Sequence, residues 1–226
     1  MAAFVLIPGA LHGGWWYRPV TEGLRAAGHV VYPVTLTGVS ERGHVGAAGG
    51  VNLDVHARDV LGLLEAERIT DAVLVSHSYG GMVASAVADR APARIAGLVY
   101  ADAFVPRDGE SAYAIANDVW RRRYLAGAAA GGGHTLLGLS PFLDPRATVH
   151  PLAGLLQPAA LTGAADALEV PRVYLHAAEF EDSPFLGTVA RLRTDPAWTV
   201  HTLRTGHDLV REAPEEFLKL TLTATG

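Results

Sequence analysis

Four largely apolar runs punctuate the first half of the chain, at residues 4–7, 29–34, 71–77 and 95–101. Runs of this length with little polar alternation suit strands buried on both faces of a parallel sheet. The segments between them carry helical spacing. After Pro8-Gly9 the chain passes through Ala10-Leu11-His12-Gly13-Gly14-Trp15-Trp16-Tyr17 and continues as a helix to about residue 27, where Gly28 supplies a C-terminal stop. A glycine-rich stretch with little periodicity, 35–50, reads as a surface loop. Asn52 is placed to cap a helix over about 53–67, with Asp54 in its first turn and Val55, Val60, Leu63 and Leu64 near one face. A third helix over 79–90 is closed by Pro92. Alternating strands and helices predict an α/β protein whose ligands bind at the carboxyl ends of the strands.

The pattern changes after Asp102. Residues 104–169 hold a helical stretch with Tyr113, Ile115, Val119, Trp120 and Tyr124, then the low-complexity 127–133, then short proline-punctuated segments. Apolar residues on both sides of the glycine run argue against a disordered linker and for a cap inserted between strands. Arg121-Arg122-Arg123 reads as a solvated helix face, with contact to an acidic substrate as the alternative. The sheet pattern resumes with a strand at 172–177, a helix at 184–193, a strand at 198–203 and a closing helix at 209–223. The expected organisation is one domain, with a core of 1–103 and 170–226 around about six strands and a helical cap of about 104–169.

Composition narrows the function. A chain of 226 residues, 50% hydrophobic, has enough apolar surface for one substantial core. Its net charge of −5, with Lys219 the single lysine, offers no basic field for nucleic acid. The absence of cysteine removes disulfides and thiolate catalysis and leaves the redox compartment open. The N-terminal apolar run lacks a basic start and is too short for a signal peptide or membrane span, so a soluble, cytoplasmic protein without membrane partners is expected.

The chemistry concentrates at Ser76-His77-Ser78-Tyr79-Gly80-Gly81, where a strand-like run enters a small-residue turn and leaves as a helix. A serine oxygen is a poor nucleophile at neutral pH and needs a base and oxyanion donors beside it. The G-x-S-x-G turn, here with Ser76 at the first small position, holds such a serine exposed. The plainer alternative is an ordinary strand-to-helix connection with Ser78 as N-cap. His207, directly after the last predicted strand, is the expected base. For the orienting carboxylate, Glu179, Glu181 and Asp182 follow one strand and Asp102 ends its neighbour. Glu179 is preferred because it comes first after its strand and gives the chain order serine, acid, histidine. The Tyr79 amide, and that of Ala10 after Pro8-Gly9, are the expected oxyanion donors. His12, Trp120, Tyr124 and residues around Phe142 are the expected substrate contacts, with a packed loop histidine the plainer role for His12. His176 and Glu179 form an isolated pair without the further ligands zinc prefers, and neither a dinucleotide fingerprint nor a phosphate-binding lysine motif occurs, so no metal or cofactor is expected.

With these residues in place, the chain resembles the α/β-hydrolase superfamily, and within it the hydroxynitrile lyase and methylesterase branch and the small bacterial pyrethroid-hydrolase-type esterases. The resemblance rests on residues 4–15, the Ser76–Met82 turn, Asp102-Ala103-Phe104-Val105-Pro106 and Gly206-His207-Asp208. It implies a triad of Ser78, Glu179 and His207, because the branch places its acid 28 residues ahead of its histidine, the separation of Glu179 and His207. Pro8 stands where relatives have histidine, and Ser76 where they have glycine. The lyases carry threonine at the position of Gly9 and lysine at that of Asp208, which disfavours cyanohydrin cleavage here. The expected function is hydrolysis of a small, largely apolar ester through an acyl-enzyme. The alternatives are a carbon-carbon lyase or biosynthetic variant, and a non-catalytic ligand-binding member. The apolar cap suits either closure over the site or pairing of two copies into a homodimer.

Overall fold

The computed structural model describes residues 1–46, 50–136 and 144–225. In chain order its strands are β1 (Ala3–Ile7), β2 (Val30–Pro33), β3 (Ala72–His77), β4 (Ile95–Ala101), β5 (Thr135–Leu136), β6 (His150–Pro151), β7 (Arg172–Ala177) and β8 (Thr199–Leu203). Six of them form one parallel sheet in the order β2-β1-β3-β4-β7-β8, while β5 and β6 pair antiparallel. This is the expected α/β-hydrolase architecture. In register, Ile7 lies beside Ser76 and His77 beside Ala101, so the turns that follow β1, β3 and β4 emerge side by side.

Alternate residues of the central strands feed two cores. Phe4, Leu6, Val73 and Val75 pack with Tyr17, Val20, Leu24 and Phe217, under the helices Arg18–Ala26 and Pro214–Leu222. Val5, Ile7 and Leu74 pack with Val60, Leu64, Val83 and Leu192, under the helices Leu53–Ala66, Gly80–Arg90 and Leu186–Arg193. Burial on both faces is what the unalternating apolar runs required.

Three local expectations shift. Asn52 caps Leu53–Ala66 by accepting the Val55 N–H, but the buried stripe is Leu53, His56, Ala57, Val60 and Leu64, with Val55 and Leu63 at its half-buried margins. The closing helix is two, Leu209–Glu212 and Pro214–Leu222, because Pro214 has no N–H to continue the first and starts the second. The low-complexity run is the end of the helix Asp118–Ala130 followed by a turn in which Gly132 and Gly133 take left-handed angles of 68° and 83°.

Between β4 and β7 lie the helices Ala112–Ile115, Asp118–Ala130 and Leu152–Leu156 with the β5–β6 pair. They are tied to the sheet side by polar contacts. The Thr148 N–H donates to the Leu11 carbonyl (3.1 Å), the Thr162 N–H to Asp89 (2.7 Å) and Gln157 Nε2 to Asp54 (2.8 Å). Phe142, expected over the site, lies outside the described residues.

Close approach of the helix Gly80–Arg90 depends on its first two residues. A Cβ on Gly80 would strike the Ile7 carbonyl and one on Gly81 the Phe104 carbonyl, whereas a Cβ on Gly62 would meet open space. Gly81→Ala should lower the unfolding free energy by about 2 kcal/mol or more through overpacking against backbone. Gly62→Ala should raise it by about 0.5–1 kcal/mol through helix propensity. Urea midpoints of the two variants against the parent check both, and an unchanged Gly81→Ala midpoint would contradict the packing described.

His56, His77 and His150 are buried, and burial lowers the pKa of each below 6.5. Below that pH the unfolded chain takes up protons that the folded chain refuses, so stability falls as pH drops from 7 toward 5. Each such histidine contributes a slope of up to about 1.4 kcal/mol per pH unit. Urea midpoints at pH 7.5 and 5.5 should differ accordingly, and equal midpoints would be the contrary result.

Candidate active site

β3 ends at His77, and the next residue, Ser78, turns the chain with a left-handed backbone, φ 52°. For a non-glycine residue this is a strained conformation that surrounding structure must hold. Here the Ser78 N–H donates to the Ala101 carbonyl (3.3 Å), and the Ser78 carbonyl accepts the N–H groups of Gly81 and Phe104, both at 3.1 Å. Ser76, at the position usual for glycine, is fully buried and places its hydroxyl on the Val99 carbonyl (3.1 Å). Across from the turn, a Cβ on Gly9 would come within 2.9 Å of both Ser78 Cβ and His77 Nδ1, so the β1 loop runs directly against the serine.

His207 follows β8, and its Nδ1 lies 2.7 Å from Asp102 Oδ2. Asp102, immediately after β4, has no solvent exposure and a left-handed φ of 42°. Burial works against its charge, but His176, His207 and the Ala177 N–H outweigh burial and hold the carboxyl below the usual carboxylate range. An ionised carboxylate only accepts, so His207 Nδ1 carries the proton and Nε2 is left basic. The ring is held from other sides as well. His77 Nε2 donates to the His207 carbonyl (2.9 Å) while stacked on Trp16 with centroids 4.3 Å apart, and Phe180 stacks on the His207 ring at 4.6 Å.

The expected pairing of His207 with Glu179 is therefore corrected to Asp102. Glu179 is exposed and meets this loop only through its backbone N–H, which donates to the Thr205 carbonyl (2.9 Å). Glu181 and Asp182 are exposed too, and Asp182 pairs with Arg123 at 3.6 Å. The reason lies in the strand order: β4 sits between β3 and β7, so a residue at its end lies one strand from the serine, and Glu179 two.

Ser78 and His207 face a cavity of about 610 Å³. Its walls include Phe104, Trp120, Tyr124, Leu155 and Phe180, and the charged residues Arg123, Asp144, Asp208, Arg211 and Glu212 line it as well. Ala10 and Tyr79 also line the cavity, and among the described residues neither backbone N–H is taken by another group. His12 turns Nδ1 to the Ala10 carbonyl (2.8 Å), and burial pushes its pKa down to about 4, which keeps the ring neutral at physiological pH. Arg123 lies over the Trp120 ring at 4.8 Å, so one of the three arginines reaches the site, while Arg121 is turned back onto the Tyr113 and Ala114 carbonyls.

His77, Phe180 and His56 were not singled out by the sequence, although the first lies inside the Ser76–Gly81 motif and the second follows Glu179. Among the described residues no three His, Asp or Glu side chains are grouped as ligands for a metal ion, and no helix is long and apolar enough to cross a membrane.

The family model for the alpha/beta hydrolase family matches residues 4–220. A carbendazim hydrolyzing esterase of Nocardioides sp. (strain SG-4G) is 37% identical over 235 residues, covering 96% of this chain and 96% of its own. Methylesterase 7 of Arabidopsis thaliana is 36% identical over 114 residues, 46% of this chain and 40% of its own. A solved structure of a pyrethroid hydrolase from Sphingobium faniae JZ-2 shares the fold, with a TM-score of 0.76 over 98% of this chain and 96% of its own at 20% identity. The methylesterase and pyrethroid-hydrolase likenesses suggested by the motifs are thus both present. From its fold and from the family match over nearly its whole length, the chain belongs to the alpha/beta hydrolase family, as a member of carboxylesterase type.

Proposed function

We propose that the protein is a serine carboxylesterase acting on small, largely apolar esters, with Ser78 as nucleophile, His207 as base and Asp102 as the orienting carboxylate. The observation that carries this reading is the 2.7 Å bond from His207 Nδ1 to the buried Asp102, with Ser78 facing the same cavity. Ser78 Oγ attacks the ester carbonyl carbon while its proton passes to His207 Nε2, and Asp102 stabilises the imidazolium. The Ala10 and Tyr79 N–H groups receive the oxyanion. Collapse of the tetrahedral species expels the alkoxide, which takes the proton from His207. Water, deprotonated by His207, then releases the acid and restores Ser78.

The close packing at Gly9, which leaves no place for a side chain, favours hydrolysis over lyase chemistry. A threonine there, as the resemblance gives the lyases, would set its Cβ 2.9 Å from Ser78 Cβ and His77 Nδ1, so the serine turn or the β1 loop would have to shift. The aromatic and aliphatic cavity walls support an apolar acyl or alcohol group, and the esterase relative makes carbendazim a first probe beside simple methyl esters.

Ser78→Ala should lose fluorophosphonate labelling and at least about 1,000-fold in turnover of p-nitrophenyl acetate. Retention of most activity by a folded variant would overturn the mechanism. Asp102→Asn should lower kcat by about 10,000-fold, because the amide can donate to Nδ1, which leaves the proton on Nε2, and no longer carries the charge that stabilises the imidazolium, while Glu179→Gln should stay within about twofold of the parent. Steady-state kinetics on the two variants would show the opposite ranking if Glu179 were the working acid.

A further inference from the structure

Tyr79 offers its backbone N–H at the cavity, but its side chain runs into the protein and is fully buried. Its hydroxyl lies 2.8 Å from His56 Nδ1, and His56 Nε2 lies 2.9 Å from the Thr37 carbonyl. A carbonyl only accepts, so the imidazole proton sits on Nε2 and the Nδ1 lone pair must accept the Tyr79 O–H. The chain of bonds thus has one direction. It is anchored further on: Asp59 accepts the Thr37 N–H (2.7 Å) and hydroxyl (2.8 Å) and pairs with Arg42 at 3.2 Å. Burial pushes the His56 pKa down and favours the neutral ring, which carries a single N–H, the one directed at Thr37.

The hydroxyl is enclosed as well as bonded. A Cβ on Gly154 would lie 2.7 Å from it, so the backbone of the helix Leu152–Leu156 closes directly over the group, and the His150 ring meets the tyrosine ring edge-on at 4.6 Å. An apolar phenyl ring would fill the same space, so packing alone does not account for a hydroxyl and an imidazole here. What the pair adds is direction: the ring cannot slide or rotate without breaking a bond in a buried, low-dielectric site.

The peptide between Ser78 and Tyr79 carries the N–H assigned above to the oxyanion. Its Ser78 end is held through the Ser78 carbonyl, which takes the Gly81 and Phe104 N–H groups. Its Tyr79 end is held on the main chain by the Tyr79 carbonyl, which accepts the Met82 N–H (2.9 Å), and on the far side by the buried side chain bonded to His56. We infer that the Tyr79 hydroxyl and His56 act together as positioning residues, pinning the peptide so that the Tyr79 N–H points at the developing oxyanion. This rests on the serine-esterase reading.

The test uses the full chain with Tyr79→Phe, His56→Asn and the double variant. It measures kcat and KM on p-nitrophenyl acetate and the inhibition constant of a trifluoromethyl ketone, which forms a tetrahedral oxyanion on serine. Tyr79→Phe should lower kcat roughly tenfold or more with KM within about twofold, a fraction of the loss on deleting an oxyanion donor outright. Ketone affinity should fall by a similar factor. His56→Asn, which keeps an acceptor toward Tyr79 but loses the Thr37 anchor, should do the same, and the double variant should be no worse than the poorer single variant. If Tyr79→Phe does not fold, the same readouts on His56→Asn decide. A Tyr79→Phe kcat within twofold of the parent, a kcat loss with unchanged ketone affinity, or additive losses in the double variant would overturn the positioning role. A parent protein that neither labels with fluorophosphonate nor turns over would instead defeat the esterase reading itself.

Discussion

A carboxylate without solvent exposure is the constraint around which this molecule is arranged. Moving an ion of that size out of water carries an effective penalty of several kcal/mol, so Asp102 keeps its charge only if donors surround it. His207 supplies one at 2.7 Å and the Ala177 N–H another at 3.3 Å, each from the end of a different strand. That requires β7 and β8 to lie beside β4 in the observed order and the loop after β8 to return across them. The return is secured from outside the pair, by His77 on the His207 carbonyl and by the Phe180 face on its ring. Fold and site are here one problem, because the sheet order that buries Asp102 also brings His207 to the cavity that Ser78 faces.

What could be read from the sequence follows from how local each signal is. The strands and the Ser78 turn were legible since apolar runs and small residues at fixed spacing act over a few positions. The carboxylate partner of His207 was not, because Glu179 and Asp102 both end strands next to a path for His207, and only the order β3-β4-β7-β8 separates them. His56 escaped for another reason. Reading a helix face by its apolar residues picked Val55 and Leu63, while the buried stripe passes through a histidine whose two nitrogens are satisfied by Tyr79 and Thr37. Polar residues in a core are invisible to hydropathy when their partners are distant in sequence.

The cavity shows the same division of labour between burial and charge. Its walls are aromatic and aliphatic, and charged side chains also line it, with Arg211 beside Asp144 and Asp208 in one place and Arg123 over Trp120 in another. Asp144 there binds Arg146 (2.9 Å) and Arg211 (2.5 Å), and Arg146 lies 4.1 Å over the Trp15 ring. Half-exposed pairs of this kind contribute little to stability. Their effect is geometric: residue 144, in the segment between β4 and β7, is held against Leu209–Glu212, the helix that begins two residues after His207.

Two strained residues of the site brace one another. Ser78 and Asp102 both adopt left-handed angles at the ends of adjacent strands, a conformation that costs each of them on the order of 1 kcal/mol or more. The Ser78 N–H is spent on the Ala101 carbonyl just before Asp102, and the Phe104 N–H two residues after it returns to the Ser78 carbonyl. The Asp102 N–H meanwhile continues the ladder to the Leu175 carbonyl at 2.7 Å. Neither turn can relax to an ordinary backbone without breaking bonds that hold the other. Ser78 and Asp102 are therefore fixed relative to each other by backbone alone, before any side chain is considered, and His207 has only to be delivered to a gap whose two sides already stand in place.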